Sequence, residues 1–236
     1  MNKDLIQTRF SKSLSSYNEN AKIQKKMAEK LITLLNKTHY KKVLEIGCGT
    51  GFLTELLNKS IEFENYTAID IVPDCENYIN SINSKINFIQ ADIEKFLLEK
   101  YDLIIANASL QWVNDFQNMI ETLKNSLSND GELVFSTFGK ENFKEISYIT
   151  GTTLDYYSIK ELEEFFPESK IFSEIHIMAF ETPQEVLKHL QLTGVNALER
   201  KAWTKKDLVK FANEYRVLCA IRPTLTYNPI YVKIIK

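Results

Sequence analysis

The feature that most constrains this chain is a short apolar run followed by three alternate glycines and then a helical pattern. Residues 43–46 are predicted to form a buried strand, and Gly47, Gly49 and Gly51 follow it. From Phe52 onward, apolar side chains recur on one face of a predicted helix. Glycines leave the backbone open to a ligand, and the first turn of a helix offers free N–H groups. The stretch therefore predicts the opening unit of a nucleotide-binding α/β fold.

The spacing of the glycines differs from the dinucleotide fingerprint, which places its third glycine five positions after the first. Phe52 stands at that position here. Asp70 ends a strand predicted over residues 65–70, and Asp92 follows a strand predicted over residues 86–90. Asp70 lies about twenty residues after the glycine turn, where an acid accepts hydrogen bonds from ribose hydroxyls. Taken singly, the glycines are also compatible with an ordinary tight turn, and each acid with a solvated loop.

Together these segments resemble the class I methyltransferases that use S-adenosylmethionine, over residues 43 to about 138. In that family the glycine loop passes the methionine part, the second-strand acid holds the ribose, and the acid after the third strand lies beside adenine. The resemblance implies an α/β, Rossmann-like fold. Its sheet would have seven strands, mostly parallel with the last strand antiparallel, an N-terminal helical lid and a helical insertion. The implied cofactor-binding residues are Glu45, Gly47, Cys48, Gly49, Gly51, Asp70, Ile71, Asp92, Ile93 and Asn107.

The composition argues against several other classes of protein. With 236 residues and a net charge of −2, the chain suits one α/β domain and has no general positive field for nucleic acid. No apolar run approaches the roughly 18 residues of a membrane span, and the first residues lead into no signal region. Cys48, Cys75 and Cys219 form no C-x-x-C pair, which favours reduced thiols. We therefore expect a cytoplasmic protein that does not insert into a membrane.

The residues before the glycine stretch are predicted to form two helices, because apolar side chains recur at helical spacing from Ile6 and again from Ile23. The segment around Tyr17 resembles the N-terminal lid of small-molecule and acyl methyltransferases, in which a tyrosine at this place faces the cofactor or the substrate. A tyrosine that only packs at a helix junction is the alternative. We predict a single domain over residues 1–236, made of a helical lid (1–40), a cofactor-binding core (41–138) and a substrate-side insertion with C-terminal strands (139–236).

Further apolar runs predict the fourth to the seventh strands, over residues 101–107, 132–138, 170–180 and 226–235. Ligands in such sheets lie beyond the carboxyl ends of the strands. Asn107 ends the fourth strand, Gln111 and Trp112 follow it, and all three are therefore expected at the pocket. For Trp112, a side chain that only covers the core is the alternative.

The sequence offers no obvious nucleophile with its base and no obvious metal site. His39, His176 and His189 are scattered without metal-ligand spacing, and His189 is expected at the surface rather than in a pocket. Methyl transfer to an alcohol or an amine often requires a base. A carboxylate is already an anion at neutral pH, so orientation and desolvation suffice. A carboxylate acceptor is therefore compatible with the sequence, though not demanded by it.

Three segments carry a closer resemblance: A-N-A-S-L-Q-W at residues 106–112, L-K-H-L-Q-L-T-G-V-N-A at 187–197 and R-P-T-L-T-Y-N-P-I-Y at 222–231. With the pattern of Phe10, Tyr17 and Gln24, they resemble the malonyl-acyl-carrier-protein O-methyltransferases of biotin synthesis. That family methylates the free carboxylate of a malonyl thioester on acyl carrier protein, so that fatty-acid enzymes extend the chain towards pimeloyl. Malonyl-coenzyme A is a substrate that the resemblance leaves open. One departure is Asn228, where a histidine often stands, which argues against a catalytic role at that position.

The resemblance implies five residues at the reacting centre, namely Tyr17, Asn107, Trp112, Arg222 and Tyr227. Arg222 is the candidate partner of the malonyl carboxylate, because its planar fork grips a carboxylate through two bonds and a charge in a dry pocket must be paired. A surface arginine on a loop is the alternative.

Basic residues near the pocket mouth are candidates for docking the acidic carrier protein, with a solvated surface as the alternative: Arg200, Lys201, Lys205 and Lys206. Two other functions remain open at this point. One is methylation of another small carboxylic acid, as in the aconitate type, and the other is a non-catalytic module that binds the cofactor.

Overall fold

The computed structural model describes residues 2–152, 154–194 and 203–236. Its strands are β1 His39–Ile46, β2 Glu62–Asp70, β3 Asn87–Gln90, β4 Tyr101–Asn107, β5 Leu127–Phe138, β6 Lys170–Ser173, β7 His176–Ala179, β8 Thr224–Tyr227 and β9 Pro229–Ile235. The main sheet has seven strands in the order β3-β2-β1-β4-β5-β9-β6, and β7 pairs with β8 in a second sheet. The pairings from β3 to β5 are parallel, whereas β9 runs antiparallel to both β5 and β6. The predicted seven-stranded, mostly parallel sheet is confirmed.

Helices cover both faces of this sheet and the edge where the parallel strands end. They are α1 Lys3–Asn20, α2 Lys22–Ile32, α3 Phe52–Ser60, α4 Cys75–Ile82, α5 Phe116–Asn125, α6 Lys144–Thr150, α7 Ile159–Phe165, α8 Pro183–Leu192 and α9 Lys205–Leu218. The two helices expected before the glycine stretch are α1 and α2. Helix α8 begins as its sequence indicates, because the Thr182 side chain accepts a hydrogen bond from the Glu185 N–H and Pro183 occupies the first turn.

Two predicted strands are each broken in the structure. The run 170–180 divides into β6 and β7, and the run 226–235 divides at Asn228 into β8 and β9. The Asn228 side chain donates a hydrogen bond to the carbonyl oxygen of Glu174 over 3.0 Å, which holds the two breaks together. Strand β9 then begins at Pro229, a residue without an N–H to continue a ladder. Each run that was predicted as one strand therefore contributes to two different sheets.

The core lies on both faces of the central strands. In β4, Leu103 and Ile105 belong to one buried layer, whereas Ile104 belongs to the other. Helix α2 covers the first layer with side chains such as Met27, and helix α5 covers the second with side chains such as Ile120. Each fully buried aliphatic side chain of this kind contributes about 1.5–3 kcal/mol to folding. Since both faces are covered, the edge beyond the carboxyl ends of the strands is the place for a ligand.

Candidate functional site

A cleft of about 1030 Å³, its open mouth included, lies beyond the carboxyl ends of β1, β2 and β4 and is bordered by α1. Its wall includes nine of the predicted cofactor-binding residues, namely Glu45, Gly47, Cys48, Gly49, Asp70, Ile71, Asp92, Ile93 and Asn107. Tyr17 and Trp112, two of the residues expected at the reacting centre, line the same cleft. Residues that are far apart in the sequence therefore meet at one site.

The glycine loop packs tightly against the loop after β4 at Gly47 and has free space beside it at Gly49. Gly47 has φ of +72°, and a side chain there would begin 2.4 Å from the Cβ of Ser109. Gly49 has φ of +54°, and a Cβ there would meet nothing within 4 Å. Gly47 therefore permits the close approach of the β1 and β4 loops, and Gly49 leaves space towards the cleft. Gly51 precedes the first residue of α3 and lies outside the described cleft wall.

Asp70 is fixed in place by two backbone N–H groups. One carboxylate oxygen accepts from Gly49 N and the other from Val72 N, both over 2.9 Å. Burial raises the pKa of Asp70, and these backbone hydrogen bonds oppose that shift. Hydrogen bonds from the Ile71 backbone and the Cys75 side chain also lower the pKa of Asp70, whose side chain lines the cleft. The end of β2 therefore presents an oriented acceptor to the hydroxyl groups of a ligand.

Glu45 lies deeper in the same wall and is only 1% exposed. One of its oxygens accepts hydrogen bonds from the hydroxyl of Tyr66 and, over 2.7 Å, from that of Thr54. Burial raises the pKa of Glu45 to about 7, although both hydroxyl hydrogen bonds lower it. This carboxyl group consequently titrates near neutral pH.

Tyr17 reaches the cleft from α1 and packs against two aromatic rings of its border. Its ring centroid lies 5.8 Å from that of Phe10 and 6.4 Å from that of Phe52. Burial raises the pKa of the Tyr17 hydroxyl, and the charge of Asp70 raises it further. The hydroxyl is therefore protonated at neutral pH and can donate a hydrogen bond.

Asn107 connects the lid to the sheet. Its side-chain nitrogen donates to the carbonyl oxygen of Gln24 over 2.9 Å, and its side-chain oxygen accepts from the Ser136 hydroxyl over 2.7 Å. Both ends of this amide are thus engaged with the protein. These two contacts attach the first turn of α2 to the carboxyl ends of β4 and β5.

Three buried polar atoms of the cleft wall have no hydrogen-bond partner among the described residues. They are the Gln24 side-chain oxygen, the Thr50 hydroxyl and the Trp112 indole nitrogen. A buried polar group without a partner destabilises a fold by about 1–3 kcal/mol. A ligand that offers both donors and acceptors would satisfy them. Sequence reasoning did not single out Thr50, although its place within the glycine loop was the available signal.

Two of the five residues expected at the reacting centre do not lie on the described cleft wall, and Gln111, also expected at the pocket, lies outside it as well. Arg222 is about half exposed, donates to the carbonyl oxygen of Phe180 over 3.2 Å and forms an ion pair with Glu181. The expected dry pocket around Arg222 is therefore absent from its described surroundings, and the surface alternative describes its position. Tyr227 is fully buried, with its hydroxyl 2.7 Å from the Nε2 of His189.

His189 is buried, so the expectation of a surface histidine was wrong. Burial lowers its pKa to about 4, with a smaller contribution from the charge of Lys22. The ring is therefore neutral at physiological pH. Sequence reasoning could not see this, because the partner Tyr227 is 38 residues away.

The remaining predicted positions have simpler outcomes. Lys205 and Lys206 are exposed at the start of α9, whereas Arg200 and Lys201 lie outside the described residues. Within the described ranges, no helix is long and apolar enough to cross a membrane. The same ranges contain no group of three or more His, Cys, Asp or Glu side chains arranged to hold a metal ion.

Comparison with known proteins places this site in context. A family described as a methyltransferase domain matches residues 17–169. The malonyl-acyl-carrier-protein O-methyltransferase of Calditerrivibrio nitroreducens is 42% identical, over 94% of this chain and 92% of the relative. The enzyme of the same name from Chlorobium luteolum is 36% identical, over 97% of this chain and 94% of the relative.

Solved structures agree on the fold. A putative methyltransferase from Bacillus halodurans superposes with a TM-score of 0.63, at 11% identity over 89% of this chain and 98% of the other. The N-methyltransferase NodS from Bradyrhizobium japonicum, in complex with S-adenosyl-L-homocysteine, gives a TM-score of 0.58 at 15% identity over 98% of both chains. At such identities the likeness concerns the fold alone, and the expected class I methyltransferase fold is confirmed.

Proposed function

The chain belongs to the malonyl-acyl-carrier-protein O-methyltransferase family, and we propose that it methylates the free carboxylate of a malonyl thioester on acyl carrier protein. The observation that carries this proposal is the extent of the match. The methyltransferase-domain match ends at residue 169, whereas the relatives align over 94–97% of the chain. The likeness therefore includes the C-terminal part, where substrate specificity is expected to reside. The methyl ester would then enter pimeloyl synthesis for biotin.

We propose S-adenosylmethionine as the cofactor; when bound, it supplies an electrophilic methyl group on a sulfonium. The cleft residues fit its parts in the order of the strands. Asp92 follows β3, Asp70 ends β2 and the glycine loop follows β1. These positions suit adenine, ribose and the methionine part in turn. The open space at Gly49 and the oriented carboxylate of Asp70 on the cleft wall support the assignment.

Trp112 and Tyr17 are the residues that we assign to the malonyl carboxylate. The Trp112 indole N–H is a buried donor without a partner in the part of the chain that the structure describes, and Tyr17 lines the same cleft with a protonated hydroxyl. Both donors would orient an anion without removing a proton. This assignment replaces the earlier expectation for Arg222, which is engaged with Glu181 at the surface.

The apolar part of the wall supports transfer to a carboxylate. Ile6, Phe10, Leu14 and Phe52 line the cleft beside Tyr17. Such side chains exclude water from an anion, and an anion without its water shell is a better nucleophile when it is held in line with the methyl group. The acceptor is already ionised at neutral pH, so no general base is required.

The carrier protein and the cellular location are proposals of the same kind. Lys205 and Lys206 are exposed on the first turn of α9 and are available for an acidic partner. Cys48, Cys75 and Cys219 are free thiols, which supports a reducing compartment such as the cytoplasm.

A comparison of acceptors tests the proposed function. The protein would be incubated with S-adenosylmethionine carrying a labelled methyl group and, in parallel, with malonyl-carrier protein, malonyl-coenzyme A, trans-aconitate or acetyl-carrier protein. The malonyl thioesters should be labelled and the acetyl thioester, which lacks a free carboxylate, should not. Labelling of aconitate alone would favour the small-acid alternative. Binding of the cofactor without any labelled acceptor would favour the non-catalytic module.

A further inference from the structure

Gln24 is a buried side chain of the cleft wall with an unsatisfied oxygen. It lies in the first turn of α2 and is 4% exposed. Its side-chain oxygen has no partner among the described residues. That oxygen can only accept a hydrogen bond. A hydrogen-bond donor on a bound ligand would satisfy this oxygen, since none of the described residues does so.

The backbone of Gln24 is held by contacts with the ends of two sheet strands. Its own carbonyl oxygen accepts from the Asn107 side chain, and Asn107 is held in turn by the Ser136 hydroxyl. These contacts attach Gln24 to the carboxyl ends of β4 and β5. Because the Gln24 backbone is held there and the residue lines the cleft, its side chain lies on the β4 side of the cleft.

The strand order indicates which part of a cofactor would meet this oxygen. This part of the sheet runs β3-β2-β1-β4, with Asp92 after the first strand, Asp70 at the end of the second and the glycine loop after the third. A cofactor with adenine beside Asp92 and ribose beside Asp70 extends past the glycine loop towards β4. The part that reaches β4 is the methionine end, and its α-ammonium group is a donor with three N–H bonds.

We propose that the Gln24 side-chain oxygen binds the α-ammonium group of the cofactor. This inference rests on the proposed function, since it takes the cofactor as S-adenosylmethionine. Gln24 acts as a binding residue for the methionine end. Its contact with Asn107 attaches it to the end of β4, beside the place of that group. It distinguishes cofactors that carry the ammonium group from those that lack it.

Calorimetric titration with two ligands tests the proposal. The probes are S-adenosylhomocysteine and its desamino analogue, in which hydrogen replaces the α-amino group. Gln24→Met keeps the length of the side chain and removes the acceptor. It should weaken binding of S-adenosylhomocysteine about ten- to a hundredfold, as expected for the loss of a hydrogen bond to a charged group. Binding of the desamino analogue should differ less than about twofold between the variant and the wild type.

Gln184→Met is the matched control, because Gln184 is exposed on α8. It should bind both ligands as the wild type does. An equal loss of affinity for both ligands in Gln24→Met, or no loss for S-adenosylhomocysteine, would overturn the proposal. Failure of the wild type to bind S-adenosylhomocysteine at all would instead count against the proposed function itself.

Gln24→Glu provides a second measurement that does not depend on the folding of the methionine variant. It has almost the same shape and adds a negative charge beside the ammonium group. Its preference for S-adenosylhomocysteine over the desamino analogue should equal or exceed that of the wild type. A reduced preference would contradict the assignment.

Discussion

The ammonium group of Lys3 lies 2.6 Å from a carboxylate oxygen of Glu94 and 3.4 Å from one of Asp92. Lys3 belongs to the first turn of α1, and both acids follow β3, so the pair joins the lid to the adenine side of the cleft. The side chains of Lys3 and Glu94 are 21% and 20% exposed, respectively. Ile6 and Phe10 of the same helix also line the cleft. Exchange of a bound cofactor should therefore require this ion pair to open.

Replacing Lys3 by methionine should speed cofactor release. The variant keeps the apolar stem and loses the charge, and partly exposed ion pairs contribute about 0–1 kcal/mol. Dissociation of S-adenosylhomocysteine, followed by stopped-flow displacement, should become about two- to fivefold faster. Lys12→Met, on an exposed position of the same helix, is the control and should leave the rate unchanged. The same acceleration in both variants would show that the ion pair of Lys3 does not slow cofactor release.

Asp70→Asn should weaken cofactor binding while the fold survives. The amide keeps one acceptor for the Gly49 N–H and loses the charge that would bind ribose hydroxyls. The loss of one or two charge-assisted hydrogen bonds should reduce the binding free energy of S-adenosylhomocysteine by about 2–4 kcal/mol. Asp74→Asn, an exposed acid four residues away, should have no effect. Unchanged calorimetric affinity in a folded Asp70 variant would contradict the ribose assignment.

Glu45 predicts a specific dependence of stability on pH. Its pKa is raised to about 7 in the folded protein, from an ordinary value of 4.5, chiefly by burial. Between these values the folded state keeps a proton that the unfolded state has released, so this group's contribution to stability falls as pH rises. The pKa difference corresponds to roughly 3 kcal/mol.

Glu45→Gln removes that titration, so it should become more stable relative to the wild type as pH rises from about 5 to 7.5. The comparison requires the free energy of unfolding of both proteins, from urea titrations at several pH values without ligand. Parallel pH profiles for the two proteins would show that Glu45 does not titrate near neutrality.

Arg222→Lys should leave methyl transfer nearly unchanged. Arg222 contacts Glu181 and the backbone of Phe180 at the surface, and lysine can keep the ion pair with Glu181. At saturating malonyl-carrier protein, the rate of the variant should lie within about twofold of the wild type, because exposed ion pairs contribute little. In contrast, Trp112→Phe, which removes the unpaired N–H, should lower the rate markedly. A marked loss of rate in Arg222→Lys with little change in Trp112→Phe would indicate instead that Arg222 binds the carboxylate.

The sequence predicted the parts of this molecule that depend on local pattern and short spacing. Gly47, Gly49 and the acid Asp70 lie on the cleft wall because a strand, a turn and a helix position them over a short distance. The breaks at residues 174 and 228 were missed, although Asn228 and Pro229 interrupt the apolar pattern of the second run. The contact between Asn228 and Glu174 joins residues far apart in the sequence, so no local pattern indicates it.

Side-chain partners were less predictable than backbone elements. Arg222 has the right chemistry for a carboxylate, yet its surroundings depend on how the segment before β8 meets the Phe180–Glu181 segment. Gln24 belonged to a recognised pattern, but its unsatisfied oxygen becomes visible only when α2 is placed on β4. The partners of both side chains depend on tertiary packing, which the periodicity of the sequence does not reveal.

Intact-protein mass spectrometry of malonyl-carrier protein tests the central claim most directly. After incubation of the carrier with this protein and S-adenosylmethionine, the thioester should gain the mass of one methyl group. Acetyl-carrier protein should show no such gain, because it has no free carboxylate to accept the methyl group. A malonyl-carrier protein whose mass stays unchanged, although the protein binds S-adenosylhomocysteine, would contradict the account.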